Sequence, residues 1–428
     1  MEDVVYDVIV IGGGPAGMMA AGRSAELGAK VVLLEKNDSL GKKLLITGGG
    51  RCNLTNAEFD NRRLLEKFKD DGKFLFSAFS QWNVQDTLDF FHKRKMETKI
   101  ENELRVFPIS DKAQSVFNVM VEYIKTNGVT IISNSPVKDF VLKDGKIIGV
   151  KTKSGEIING KSIIVATGGT SHPETGSTGD AFPWLKKIGH KIITPEPSLV
   201  PITVKDSWVK KLSGVSINEV KISLFLNGTK QTIKAIKPKK GSPPQNQKIL
   251  FTHFGLSGPT ILNMSKDISE LLKYGEVVIS LDLLPKLDHG KLNKKLQEIF
   301  AENDKKKFKN CLDDLIPKAM TEAIIELSEI DPEKQCNGIT REERLGLINL
   351  LKGVPINVEK LLGKDKAIIT SGGVSLEEVD FKTMRSRLFP NLYFVGDILN
   401  IDRPSGGYSL QLCWTTGFVA GTNARKTV

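Results

Sequence analysis

Cysteine is scarce. The 428 residues hold four, Cys52, Cys311, Cys336 and Cys413, and none forms a CxxC pair. That excludes a disulfide scaffold, zinc ribbons, iron–sulfur runs and a thioredoxin-like dithiol. The usage fits a reducing cytosol, and a cytoplasmic protein is expected. No cluster of ligating side chains marks a metal site, and no nucleophile–base triad pattern is present. No apolar run approaches the roughly 18 residues of a membrane span. A signal peptide is not expected, because Glu2 and Asp3 stand where a basic start belongs and the apolar VIVIGGG stops at glycines. Repeats and low-complexity tails are absent as well. Acidic residues are the minority, 50 against 61 lysines and arginines, for a net charge of +11. This balance favours anionic ligands, nucleic acid or a membrane surface over cationic substrates.

What is present reads as an α/β protein. Residues 5–11, VYDVIVI, form an apolar, β-branched run that predicts a buried strand. The glycines and PAGMMAAGRSAELG follow, a predicted helix that closes on Gly28. KVVLLEK is a second buried strand ending at Glu35. Strand, turn, helix and strand within about thirty residues are the signature of a parallel sheet. Residues 84–127 read as two helical pieces separated by RVFPIS. Residues 129–165 alternate strand patterns with turns at Asp144-Gly145 and Ser154-Gly155. The prolines of TPEPSLVPI, from Thr194, suggest a domain crossing. Short strands then dominate (VKISLFL, TIKAI, KILFT, EVVISLDLL), followed by an amphipathic helical stretch. The expected organisation is a doubly wound, Rossmann-like nucleotide-binding domain in two parts, 1–193 and 366–428. It carries a β-rich insert, 194–285, and a helical insert, 286–365.

Gly12, Gly14 and Gly17 fit GxGxxG in the required context, after a buried strand and opening a helix. Gly12 permits the tight turn, Gly14 lets backbone approach a pyrophosphate, and Gly17 lets helix and strand pack closely. The helix N-terminus offers free N–H groups to phosphate. Glu35 stands 18 residues after Gly17, placed to accept the ribose hydroxyls. The motif alone does not separate NAD from FAD. Three further features favour FAD. SIIVATGG ends a late strand in Ala166-Thr167-Gly168. LYFVGD ends in Gly396-Asp397, an acid suited to ribityl hydroxyls. ITGGGRCNLTN supplies a second glycine cluster able to wrap a flat ring, with Arg51 to neutralise phosphate or flavin charge.

LGKKLLITGGGRCNLTN, FTHFGLSGPTIL and VGDILNIDRPSGGYSLQLCWTTGFVAG resemble the BaiN-like flavoproteins, also called aminoacetone-oxidase-family FAD-binding enzymes. The resemblance runs over nearly the whole chain and implies a split FAD domain with a β-barrel insert. It implies FAD contacts at Gly12, Gly14, Ala16, Gly17, Glu35, Lys36, Lys43, Gly50, Arg51, Asn53, Gly168, Gly396, Asp397, Gly407 and Tyr408. One departure is Asp397, where many members carry glutamate; either carboxylate can accept the ribityl hydrogen bonds. The activity it implies is flavin-dependent oxidoreduction. Substrates linked to the family are bile-acid-like enones, amines and uridine in large-subunit ribosomal RNA.

No second GxGxxG is present, so a nicotinamide donor, NAD(P)H, would bind transiently over the flavin. Cys52, inside the flavin wrap beside Arg51, is the leading candidate acid, competing with a role as a small buried hydrophobe. Tyr408, after two glycines, is placed to position a carbonyl or to pack on the cofactor. His253 in FTHFGLSGP is a third candidate and His172 a weaker one, each with a structural role as its alternative. Residues 201–250 hold ten lysines against two acids, and 291–309 hold seven against three. Lys234, Lys237, Lys239 and Lys240 concentrate that charge before the Pro243-Pro244 turn. A solvated face is one reading and an RNA-binding surface the other. The basic insert tips the expectation towards ribosomal RNA as partner and uridine reduction as activity. A small-molecule substrate is the alternative, and a non-catalytic flavin-binding module the competing class.

Overall fold

The structure, a computed structural model, describes residues 4–232 and 247–426. It forms two compact units, Met1–Ser198 with Lys364–Val428, and Leu199–Gly363. The crossings stand at 198/199 and 363/364, where 193/194 and 365/366 were expected.

In the first unit, β1 (Val5–Ile11) leads through α1 (Pro15–Glu26) to β2 (Val31–Leu34). β1 pairs in parallel with β2 on one side and with the strand Ile157–Val165 on the other. Thr130–Ile132 extends the sheet beyond β2, and Leu392–Phe394 pairs in parallel with the end of Ile157–Val165. The antiparallel strands Lys146–Thr152 and Val137–Lys143 complete it. All four β2 residues are buried, as both-faced cover demands of a parallel strand. Asp144 and Gly145 take φ of 50° and 74° at the predicted hairpin turn.

α1 is buried on nearly every side. Its glycines and alanines admit two neighbouring helices at close range. A Cβ on Gly22 would lie 2.2 Å from the Tyr123 ring, in the helix Ala113–Thr126. On the other side, the C-terminal helix Tyr408–Lys426 brings Gly417 and Gly421 against the Ala16 and Ala20 carbonyls.

Two parts of this unit differ from expectation. RVFP, read as a helix break, is the strand Arg105–Pro108, paired with Thr98–Glu101 and Thr55–Asn56. Residues 61–81, not assigned from sequence, carry the helices Asn61–Leu65 and Gly72–Gln81.

The second unit is an antiparallel sheet closed on itself. Ser216–Leu226 pairs with both Gln247–Thr252 and Val277–Asp282, so the sheet has no free side there. Val354–Leu361, expected in the helical insert, is a barrel strand pairing Val277–Asp282 and Ile202–Val204. The helices His289–Glu302 and Arg341–Lys352 pack Leu292, Leu296 and Leu347 into the same core as Ile279 and Ile356. The two expected inserts are therefore one unit with one core. The expected strand TIKAI from Thr232 falls almost wholly outside the described residues. Lys234, Lys237, Lys239, Lys240 and the Pro243-Pro244 turn lie outside them too. Among the described residues no helix is long and apolar enough to cross a membrane, and no group of three His, Cys, Asp or Glu is placed to hold a metal.

Candidate functional site

The carboxyl ends of β1 and of Ile157–Val165 open into a cavity in the first unit. Gly12, Gly14, Ala16, Glu35, Lys36, Lys43, Gly168 and Asp397 line it, all predicted from sequence. The three cradle glycines separate by geometry. Gly12 has φ of 104°, and a Cβ there would lie 2.5 Å from the Ala166 carbonyl oxygen. A Cβ on Gly17 would stand 1.9 Å from the Gly12 oxygen, so this glycine sets the helix-to-strand distance. A Cβ on Gly14 would meet no atom within 4 Å, because it points into the cavity. Gly14 is the α1 N-cap and no side chain caps that end, which leaves its first N–H groups for an anion.

Glu35 directly follows β2, and its carboxylate accepts the Gly13 and Asn37 N–H groups at 2.8 Å each. These bonds fix its orientation at the cavity wall while lone pairs remain for ribose hydroxyls. Lys36 turns to the wall opposite, donating to Asp180 and Thr178 at 2.6 Å each. Asp180, Ser177 and Trp184 join the lining there. None of the three was singled out in the sequence, where no motif surrounds them. At the other end of the cavity Asp397 accepts from Arg403 and, at 3.4 Å, from Lys43. Burial alone would push the Asp397 carboxyl up; the Arg403 and Lys43 charges overcome it and hold the group below its ordinary value. Thr167, of the ATG segment, has a buried hydroxyl with no hydrogen-bond partner among the described residues, and it too faces the cavity. An open cradle, an uncapped helix end and an orphaned hydroxyl all suit a dinucleotide threaded between Glu35 and Asp397.

Other predicted residues lie outside the lining and support it from behind. Gly396 packs against Ala16 and Cys413. Asn53 accepts the Gly407 N–H at 3.0 Å and donates to the Thr55 and Val106 carbonyls. A Cβ on Gly407 would overlap the Thr55 carbonyl at 2.3 Å. The GGGRCN and GGY segments thus grip each other. Gly48, Gly49 and Gly50 are successive left-handed residues, with Gly49 and Gly50 open on their side-chain faces.

Three expectations are corrected here. Arg51 does not line the cavity: it pairs with Glu101 and Asp111 at 2.5 Å each and stacks on Phe107 at 4.2 Å. Two carboxylates already satisfy its charge, which leaves it unsuited to neutralise phosphate. Cys52 is 0% exposed, takes φ of 63°, and burial pushes its thiol up to about 12. The expected pull of a neighbouring cation towards thiolate is therefore absent, and Cys52 behaves as a small core hydrophobe. Tyr408 is buried edge-on against Phe68, and burial, then the Glu58 and Glu103 charges, push its hydroxyl up to about 12. Its neighbours Ser409 and Leu410 line the cavity instead. His253 is exposed at a hairpin turn of the second unit beside Phe254, and His172 binds Glu174 at 2.8 Å.

Cys52→Ala is expected to retain FAD and turnover. It should lower the thermal midpoint by a few degrees, for about 1 kcal/mol of lost packing. A large loss of turnover at full FAD occupancy would restore Cys52 as a proton donor.

Over residues 6–423 the chain matches the HI0933-like protein Rossmann domain. It is 28% identical over 424 residues to the 3-dehydro-bile acid delta(4,6)-reductase of Clostridium scindens, covering 97% of this chain and 98% of the relative. It is 28% identical over 416 residues to the ribosomal RNA dihydrouridine synthase of Escherichia coli, covering 96% of each. The solved 3-ketosteroid delta1-dehydrogenase of Sterolibacterium denitrificans shares the fold, with a TM-score of 0.54 at 13% identity over 99% of this chain and 100% of that one. The chain belongs to the HI0933-like Rossmann family and is an FAD-dependent oxidoreductase.

Proposed function

We propose that the protein saturates a C=C bond conjugated to a carbonyl, and that its substrate is uridine in large-subunit ribosomal RNA. The observation that carries the reaction class is the end-to-end match to two relatives named for such saturations, a bile-acid reductase and a dihydrouridine synthase. Bound FAD supplies the hydride chemistry. The chain's own residues hold and orient it. The α1 N-terminus takes the pyrophosphate, Glu35 the adenosine ribose, and Asp397 the ribityl hydroxyls. A nicotinamide, NAD(P)H, is the electron donor, bound transiently.

Identity does not choose the substrate, since both relatives match at 28%. Charge favours RNA: 201–250 holds ten lysines against two acids. Phosphate contacts would position the RNA, and one unpaired pyrimidine would enter the site. The whole-chain match to the bile-acid reductase keeps a small enone as the second reading.

Mass spectrometry of ribosomal RNA from cells with and without the gene tests the proposal. Loss of a dihydrouridine in the deletion strain is expected, and full retention gives the small-molecule reading the field. Exchanging Lys234, Lys237, Lys239 and Lys240 for glutamine should flatten the salt dependence of RNA binding by roughly 0.7–0.9 in log–log slope per lost contact, with FAD content unchanged. An unaltered slope would make that stretch a solvated face.

A further inference from the structure

Arg403 was not among the residues implied by motif, yet its side chain is 0% exposed. Its guanidinium donates to the Ile401 carbonyl and the Ser409 hydroxyl at 2.9 Å each, and to one Asp397 oxygen. Lys43 reaches the other Asp397 oxygen at 3.4 Å. Asp397 and Ser409 line the cofactor cavity, and Arg403 stands behind both. One carboxylate therefore meets two cations where water is scarce. Removing Arg403 would leave Lys43 alone, at 3.4 Å, to offset the cost of burying the Asp397 charge. The planar fork of arginine reaches three acceptors in fixed directions, which a lysine ammonium cannot reproduce.

We propose that Arg403 is a positioning residue for the cofactor. It holds Asp397 charged and turned into the cavity, so that FAD meets a fixed acceptor and a corner with one net positive charge. The cofactor carries two negative charges on its pyrophosphate, and this corner offsets part of them. The inference rests on FAD as the occupant of the cavity.

The charged and titratable groups facing Asp397 are Arg403 from its own loop, Lys43 from the helix Lys42–Ile46, and Cys413 from the C-terminal helix. Burial, then the Asp397 charge, push the Cys413 thiol up to about 12, so it stays neutral near pH 7. Without Arg403 only Lys43 opposes burial. The Asp397 carboxyl should then rise into an accessible range. Below that pKa the acid is neutral and the corner regains one positive charge; above it the corner carries none. FAD should therefore bind more tightly as pH falls.

The experiment is a titration of the FAD-free full chain with FAD from pH 5 to 8, read by flavin fluorescence, with apo thermal midpoints in parallel. Wild type should show no inflection from Asp397 in this window. Arg403→Met should bind at least about tenfold more weakly at pH 8 and gain an inflection, tightening towards pH 5. Arg403→Lys should remove the inflection even if affinity stays low. Arg403→Met with Asp397→Asn leaves no orphaned acid and should give a flat profile. If the single variant does not fold while the double variant folds and binds FAD with a flat profile, the orphaned carboxylate is the cause and the proposal stands. A flat profile in a folded Arg403→Met, or failure of both variants to fold, would reduce Arg403 to a structural residue. If the wild-type chain takes up no FAD, the cofactor assignment falls and this inference with it.

Discussion

Gly14→Val is expected to abolish FAD binding while leaving the fold intact. The backbone at Gly14 is extended, with φ of −75° and ψ of −179°, which valine adopts without strain. Its Cβ would meet no protein atom within 4 Å. The side chain would occupy cavity space above the α1 N-terminus, where a pyrophosphate needs the backbone close. Losing two or three charge-assisted hydrogen bonds, each worth about 1.5–3 kcal/mol, removes roughly 4 kcal/mol of binding. That raises the dissociation constant by about a thousandfold. Gly17→Val provides the contrast. Its Cβ would stand 1.9 Å from the Gly12 oxygen, a backbone atom with no rotamer to yield. It should cost about 3 kcal/mol or more and lower the thermal midpoint of the FAD-free chain. Flavin absorbance of the purified variants and thermal melts of their apo forms separate the two effects. A colourless Gly14→Val with a wild-type apo melt is the expected result. Full flavin occupancy in that variant would mean that the pyrophosphate lies elsewhere.

The contrast also shows what a sequence can reveal. Gly12 and Gly17 are legible because their geometry is local: a turn and a close helix-to-strand contact, within six residues. Glu35 is legible for the same reason, one strand away. Arg51 stands in an equally specific motif, yet its partners are Glu101, Phe107 and Asp111, fifty to sixty residues on. Pairing across that distance decides whether a charge faces a ligand or another side chain, and no local pattern records it. Asn53 and Gly407 are the reverse case. The resemblance marked both as cofactor contacts, but they hold each other across some 350 residues. Arg403 lies inside the segment VGDILNIDRPSGGYSLQLCWTTGFVAG, but no local pattern singles it out; its burial beside Asp397 does. In the second unit, Val354, Ile356 and Val358 alternate with Pro355, Asn357 and Glu359, a short period-two signal beside a helical stretch. The segment is a strand because Val277–Asp282 and Ile202–Val204 offer it edges.

The C-terminal helix carries a signal of the same long-range kind. Gly417 and Gly421 are four residues apart and so lie on one helical face. In isolation two glycines weaken a helix, each by about 1 kcal/mol relative to alanine. Here they let α1 approach until a Cβ on Gly417 would lie 2.6 Å from the Ala16 oxygen and 3.0 Å from the Met19 Cβ. Gly421 would stand equally close to the Ala20 oxygen, at 2.6 Å. Ser24 donates to the Gly421 carbonyl at 3.0 Å and Arg23 to the Thr422 hydroxyl at 3.0 Å, which fixes the register. Gly417→Val should therefore destabilise the chain despite its better helix propensity. An overpacking cost of about 3 kcal/mol corresponds to roughly 6–12 °C in the thermal midpoint for a unit of this size. The effect should reach the cofactor as well, because Ala16 lines the cavity and α1 cannot move without carrying its N-terminus along. FAD should bind at least about tenfold more weakly, for 1.4 kcal/mol or more of lost cradle geometry. Gly346 supplies the control. It lies in the helix Arg341–Lys352, is exposed, and has no atom within 4 Å of its Cβ position. Gly346→Ala should stabilise by about 0.5–1 kcal/mol and leave FAD affinity alone. Melts and FAD titrations on both variants read the difference. A Gly417→Val protein with wild-type melting and wild-type FAD affinity would show that the two helices do not depend on this contact.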